Sequence, residues 1–233
     1  MRMLEYDYSK AYWVKLFSDL HDLGIRVFHS STEYESFGFY CEVLDEFYKT
    51  FPEKKIAHMV KLAEPHFHVN EFDPKLFEEK IEEYLDKLQT DSLFCVQWMW
   101  RGDLSDNEKR KSLFLDASDA ISEAVSKSKS NGKIENFHCF PYDMAFADAA
   151  ISQEFVDGLA VYRNVLETEA DEVLKRASDL GKTNFIIRPL FGGKALESNA
   201  RTPKELVAFA LDFPNLGGAV LSISAVDKIK QIL

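Results

Sequence analysis

Residues 11–30 read AYWVKLFSDLHDLGIRVFHS, and they contain two patterns in succession. The first has the period of a helix: Trp13, Val14, Phe17 and Leu20 fall on one face of Ala11–Leu23, and Gly24 stands where a helix closes in a left-handed turn. The second, Ile25–Ser30, is short, β-branched and aromatic, as a strand covered on its outer side would be. A helix handing directly to an apolar strand is the unit of a parallel α/β fold.

Reading outward, the unit recurs. Apolar runs of strand length occur at Ile56–Leu62, Ser92–Trp100, Ile134–Phe140, Gly158–Arg163, Phe185–Leu190 and Gly218–Ser222. Between them lie helical stretches at Phe37–Phe51, Lys75–Leu88, Glu108–Lys129, Tyr142–Glu154, Ala170–Leu180, Pro203–Asp212 and Ala225–Leu233. Asp73-Pro74 supplies an N-cap and a first-turn proline for the second of these. Arg2–Tyr6 offers an eighth strand ahead of the first helix. Eight alternating units predict a (β/α)8 barrel of minimal length, one domain over residues 1–233, with an open doubly wound sheet as the competing arrangement.

The composition, 46% hydrophobic and 29% charged, is that of a chain with a substantial core, and the formal net charge is -11. That charge repels phosphate backbones and anionic lipid surfaces, so nucleic acid and membrane are not expected partners. Cys41, Cys95 and Cys139 are far apart and read as small buried hydrophobes. No stretch approaches the ~18 apolar residues of a membrane span, and the chain reads as cytoplasmic. The sequence holds no GxGxxG, GxxxxGK[ST], GxSxG or HExxH. His66 and His68 form an HxH pair, and His29, His58 and His138 are further imidazoles; no aspartate stands beside them, and no metal is expected.

In a parallel barrel the chemistry sits at the C-terminal ends of the strands. Those ends carry His29, Tyr34, Lys61, Glu64, Gln97, Met99, His138, Phe140, Arg163, Asn164, Arg188 and Gly192-Gly193-Lys194. Trp98 and Trp100 alternate with Met99 and so face the helices. Arg188 admits two readings, an anion ligand or a structural ion pair.

Gly24-Ile25-Arg26-Val27-Phe28-His29-Ser30-Ser31-Thr32-Glu33-Tyr34 resembles the aldo/keto reductase segment G-[IV]-x-x-F-D-T-A-x-x-Y. Lys61 falls where that family carries its TK lysine. Tyr84–Asp91 is similar to its S-L-x-x-L-x-x-D joint, Gly132-Lys133-Ile134-Glu135 to G-K-I-R, and Arg188-Pro189-Leu190-Phe191-Gly192-Gly193-Lys194 to x-P-L-x-x-G. The five stretches follow the family's order.

The resemblance implies an NADP-dependent oxidoreductase acting on a small carbonyl compound. Tyr34 would be the general acid, Lys61 the cation that lowers its pKa, and His29 would occupy the position of an aspartate that holds the lysine. Met99 stands at the position of the carbonyl-orienting histidine, and Phe140-Pro141 replaces a serine–asparagine pair that grips the nicotinamide amide. The sixth-strand glutamine is missing from Leu159-Ala160-Val161. Cofactor contacts would come from Arg188, Leu190, Gly192, Gly193 and Lys194 near the pyrophosphate, and from Ser222 and Ser224 near the 2'-phosphate, where no Lys-Ser-Arg cluster is present. A neutral histidine cannot anchor a lysine as a carboxylate does, and a thioether offers no donor to an alkoxide. The alternative implied is a degenerate barrel that binds or regulates without redox chemistry.

Overall fold

The computed structural model describes residue 3, residues 7–197 and residues 201–232. Helices and strands alternate along the chain: α1 (Lys10–Asp22), β1 (Val27–Ser30), α2 (Phe37–Thr50), β2 (Ala57–Ala63), α3 (Pro74–Leu88) and β3 (Leu93–Met99) come first. Then follow α4 (Asn107–Asp116), α5 (Ser118–Ser130), β4 (Ile134–Cys139), α6 (Met144–Ile151), β5 (Gly158–Tyr162), α7 (Asp171–Asp179) and β6 (Asn184–Ile187). A 3-10 turn at Phe191–Gly193, α8 (Lys194–Glu197), α9 (Pro203–Leu211), β7 (Leu216–Val220) and α10 (Val226–Lys230) complete it.

Every strand is parallel to the next, in the order β1 through β7. A doubly wound sheet reverses direction at a switch point, and this order never does, so the sheet curls as a (β/α)8-type barrel. Among the described residues β1 and β7 are not paired with each other. The strand expected at Arg2–Tyr6 lies outside the described residues except for Met3, which is fully buried in the main core. At that seam α1 packs on α10, and the Tyr12 hydroxyl donates to the Ser224 carbonyl at 2.8 Å.

The local signals act as the sequence implies. Ser9 caps α1, Gly24 takes φ +86 beyond its end, and Asp73 caps α3 ahead of Pro74. Several bounds shift, among them the last strand, expected at Gly218–Ser222 and found at Leu216–Val220, and two of the changes have a plain cause. Glu108–Lys129 is two helices that bend at Ala117, because α4 packs on α6 while α5 packs on α3, and one straight helix cannot bury both faces. The strand expected over Phe185–Leu190 stops at Ile187, since Arg188 enters the left-handed region at φ +58.

Side chains alternate between two environments. Phe28, Val60, Trp98, Phe137 and Ile186 point out into the main core under the helices. Met59, Cys95, Ala160 and Phe185 form a lower layer inside the barrel, and Ala63, Met99 and Phe140, backed by Ile187, form an upper one. His138 belongs to the lower layer, with its Nε2 2.7 Å from the Thr183 carbonyl and its Nδ1 3.1 Å from Cys95 Sγ. Gly158 is required there: a Cβ on it would lie 1.7 Å from Thr183 O and 2.8 Å from His138 Cδ2. His58 faces outward instead, 3.2 Å from the Tyr48 hydroxyl on α2.

Two outcomes follow for stability. Gly158→Ala is expected to cost about 3 kcal/mol in urea unfolding, because the clash is with backbone; a cost within ~0.5 kcal/mol would contradict the packing. Burial depresses His29, His58 and His138 from 6.5 to about 4. The unfolded chain therefore binds more protons between those values, so their contribution is intact above pH 6.5 and is lost as pH falls toward 4. Thermal melts across that range should show the decline, and a flat profile would contradict it.

Candidate active site

Lys61 shares the inward parity of Met59 and Ala63 on β2, so alternation delivers its ammonium to the barrel mouth. There its Nζ lies 2.6 Å from Glu33 Oε2. Glu33 comes from the loop between β1 and α2, which Tyr84 anchors: its buried hydroxyl donates to the Lys61 carbonyl at 2.6 Å and accepts from the Thr32 N–H at 2.9 Å. Arg101, just past β3, clamps the same carboxylate with both guanidinium ends, at 2.5 Å and 2.6 Å. This two-pronged geometry is the strong form of the arginine–carboxylate pair.

One carboxylate thus serves two cations. Burial pushes the Glu33 carboxyl up, but hydrogen bonds and charge from Lys61 and Arg101 outweigh it and hold it below its ordinary value. Side-chain exposures of 27% for Glu33, 19% for Lys61 and 7% for Arg101 place the network between solvent and interior. His66 Nε2 lies 2.8 Å from Arg101 Nη1 and 3.2 Å from Glu33 Oε1, and Phe67 packs under the guanidinium at 4.6 Å.

Tyr34 is half-buried beside this network, with Lys61 Nζ 5.6 Å from its ring centroid. His29 lies 6.2 Å from Tyr34 between ring centroids, and its Nε2 is 2.8 Å from Gln97 Oε1. Burial holds His29 near 4, so it is neutral at physiological pH. The carboxylate facing Lys61 is therefore Glu33, supplied from four residues beyond His29. Met99 lies in the upper layer, and Tyr142, from the loop after β4, reaches it: the Tyr142 hydroxyl is 4.0 Å from Met99 Sδ and accepts from Arg101 Nε at 3.0 Å.

Opposite stands the segment after β6. Arg188, Phe191, Gly192 and Gly193 all have positive φ, at +58, +48, +65 and +99. The Arg188 guanidinium lies 4.8 Å from the Tyr162 ring and 4.9 Å from the Phe191 ring, is exposed, and has no carboxylate partner among the described residues. Of the two readings of Arg188, the structural ion pair is thus not the one seen. Lys194 Nζ lies 5.6 Å from the Phe191 ring centroid, and Leu190 opens the turn. Ser222 is exposed, whereas Ser224 is buried and its hydroxyl accepts from Lys228 at 2.8 Å.

Other strand-end residues are turned away. Glu64 points outward into a buried pair with Lys80 at 2.9 Å. Arg163 pairs with Asp171 at 2.7 Å and donates to the last carbonyls of α9 at Phe209 and Ala210. Asn164 is buried and donates to the Arg188 carbonyl at 3.1 Å. Among the described residues no group of three or more His, Cys, Asp or Glu is placed to hold a metal ion, and no helix is long and apolar enough to cross a membrane.

Glu33, Arg101, His66 and Tyr142 are the mouth residues that the strand-end reading omits. Parity holds a signal for Arg101, two residues beyond Met99 and so on its face. For Glu33 and Tyr142 the sequence offers only their loops.

No family model matches the sequence, and no curated protein is matched by it. Solved structures do match. An aldo-keto reductase from Klebsiella pneumoniae in complex with NADPH superposes with TM-score 0.74 at 16% identity, covering 98% of this chain and 80% of the other. The Klebsiella pneumoniae aldo/keto reductase in complex with NADP and acetate gives 0.73 at 17% identity, with the same coverage. The holo form of an aldo-keto reductase from Bacillus halodurans gives 0.70 at 15%, covering 97% and 81%. At these identities the likeness establishes the barrel fold of the aldo-keto reductases.

Removing the shared carboxylate tests the network. Glu33→Gln is expected to lower stability by about 2 kcal/mol in urea, between the values for exposed and buried pairs. A change under ~0.5 kcal/mol would show that the clamp does not hold the mouth together.

Proposed function

We propose that the chain is an NADPH-dependent reductase of a small, largely apolar carbonyl compound, with Tyr34 as general acid and Lys61 as the cation that stabilises its phenolate. The observation that carries this reading is the Lys61 ammonium, fixed by Glu33 beside Tyr34 in the mouth of a barrel of this fold. A lysine whose partner were solvent alone would be too mobile to act on one phenol.

The residues opposite suit the cofactor in two respects. Arg188 is an exposed, oriented cation without a carboxylate partner among the described residues, and the backbone of Gly192 and Gly193 has open space where side chains would otherwise stand. These, with Lys194 and Leu190, are the groups to hold the phosphates, and exposed Ser222 is the hydroxyl available to a 2'-phosphate. The upper layer of Ala63, Met99, Phe140 and Ile187 would offer a reduced nicotinamide an apolar face in place of amide-binding side chains. When bound, that ring supplies the hydride. Tyr34 then releases its proton to the substrate oxygen while Lys61 and Glu33 stay in place, and the closed layer below keeps water from the reacting carbon. Phe67, Tyr142 and Leu166 in the loops and Tyr162 at the end of β5 are 36–47% exposed around the mouth, an apolar rim that favours an aromatic or aliphatic substrate.

Titrating NADPH while following its fluorescence is the direct test. Saturable binding is expected, with Arg188→Ala weakening it by about tenfold, the value of one charge-assisted contact. Tyr34→Phe should bind NADPH as the parent does and reduce 4-nitrobenzaldehyde ~100-fold more slowly or worse. A parent protein that binds no NADPH contradicts the reading.

A further inference from the structure

The Tyr142 hydroxyl has a strong donor on one side and a weak acceptor on the other. Arg101 Nε donates to its oxygen at 3.0 Å, which commits a lone pair and leaves the O–H to donate. Among the described residues that O–H meets Met99 Sδ, at 4.0 Å. A thioether is a poor acceptor, so a hydroxyl proton at the mouth is held in a contact easily exchanged for a better one. Its direction is fixed nevertheless: the ring stands edge-on to Phe140 at 5.1 Å and beneath the Arg110 guanidinium at 5.5 Å. Tyr142 is 36% exposed, so a ligand entering the mouth reaches it.

Hydrogen bonds and ion pairs join Tyr142, Arg101, Glu33 and Lys61, and the Lys61 ammonium lies 5.6 Å from the Tyr34 ring centroid, so an aromatic hydroxyl residue stands beyond each of the two cations that share the carboxylate. Arg101 withdraws electron density from the Tyr142 oxygen and so strengthens the bond its proton can make. Burial at the same time pushes the Tyr142 phenol up, against the Arg101 charge, so the donor keeps its proton.

We propose that Tyr142 donates a hydrogen bond to the carbonyl oxygen of the substrate, exchanging Met99 Sδ for that oxygen, and that Arg101 is its positioning residue. This rests on the reductase reading above. Tyr34 gives up a proton to the oxygen; Tyr142 polarises the same oxygen and retains its own proton, so no atom is transferred from it.

The test compares the parent with Tyr142→Phe and Arg101→Lys, each first matched for thermal melting. NADPH is titrated, and the C=O stretch of bound 4-nitrobenzaldehyde is read by infrared difference spectroscopy alongside kcat and KM. NADPH affinity should be equal in parent and Tyr142→Phe. The carbonyl band should move to lower wavenumber in the parent and return most of the way toward the free value in Tyr142→Phe. There kcat should fall roughly 100-fold, with KM changed by no more than about threefold, as when one oxyanion donor is removed. Arg101→Lys should give an intermediate band even if Tyr142→Phe folds poorly. An unmoved band and unchanged kcat in Tyr142→Phe overturn the role of Tyr142 and leave the reductase reading standing. A parent that binds neither NADPH nor aldehyde overturns both.

Discussion

The Glu33 carboxylate lies between two cations that would otherwise repel each other in a partly buried space. Lys61 comes from β2, where alternation turns it into the mouth, and Arg101 comes from the segment just past the neighbouring β3, where Glu33 and Tyr142 hold it. Without a carboxylate between them, neither could be held there at acceptable desolvation cost. Glu33 arrives from the loop before α2, and Tyr84 fixes that loop to the backbone of Lys61 itself. The position of Tyr34, next in sequence, follows from the same anchoring. Tyr142 meets the same guanidinium at its Nε, the nitrogen that Glu33 leaves open.

Below this level the barrel is filled and uncharged. His29 is neutral against Gln97, and His138 is neutral between Cys95 and Thr183. Burial also pushes the Cys95 thiol up, which makes it an inert packing group and no nucleophile. The ion pairs of Lys61 and Arg101 with Glu33 stand above these layers, at the mouth. In a protein with a formal charge of -11, Lys61 and Arg101 at this mouth are paired with Glu33, and Arg188 after β6 is an exposed cation.

Much of the architecture was legible because it depends on short-range rules. Ser9, Gly24, Asp73 and Pro74 act locally, and the apolar runs at Ile134 and Gly158 need only their own composition to read as buried strands. The helix over 108–129 misread because its two halves bury against different neighbours, which no single-helix pattern records. At the mouth, the resemblance names Tyr34, Lys61 and His29, and in the structure Lys61 pairs with Glu33 while His29 meets Gln97. That pairing is not legible in the sequence. Glu33 was visible as the residue before Tyr34, yet its carboxylate points to Lys61 only because Tyr84, fifty residues on, holds the loop. Arg101 and Tyr142 likewise meet through tertiary approach between loops after neighbouring strands, and sequence spacing carries no trace of it.

The most direct measurement of the whole account is a crystal structure of the chain soaked with NADPH. The account predicts phosphates against Arg188 and the Gly192–Lys194 backbone, with the reduced ring on the Phe140 and Met99 face toward Tyr34. Phe140 and Tyr162 unmoved and filling that space, with no cofactor bound across the mouth, would contradict it.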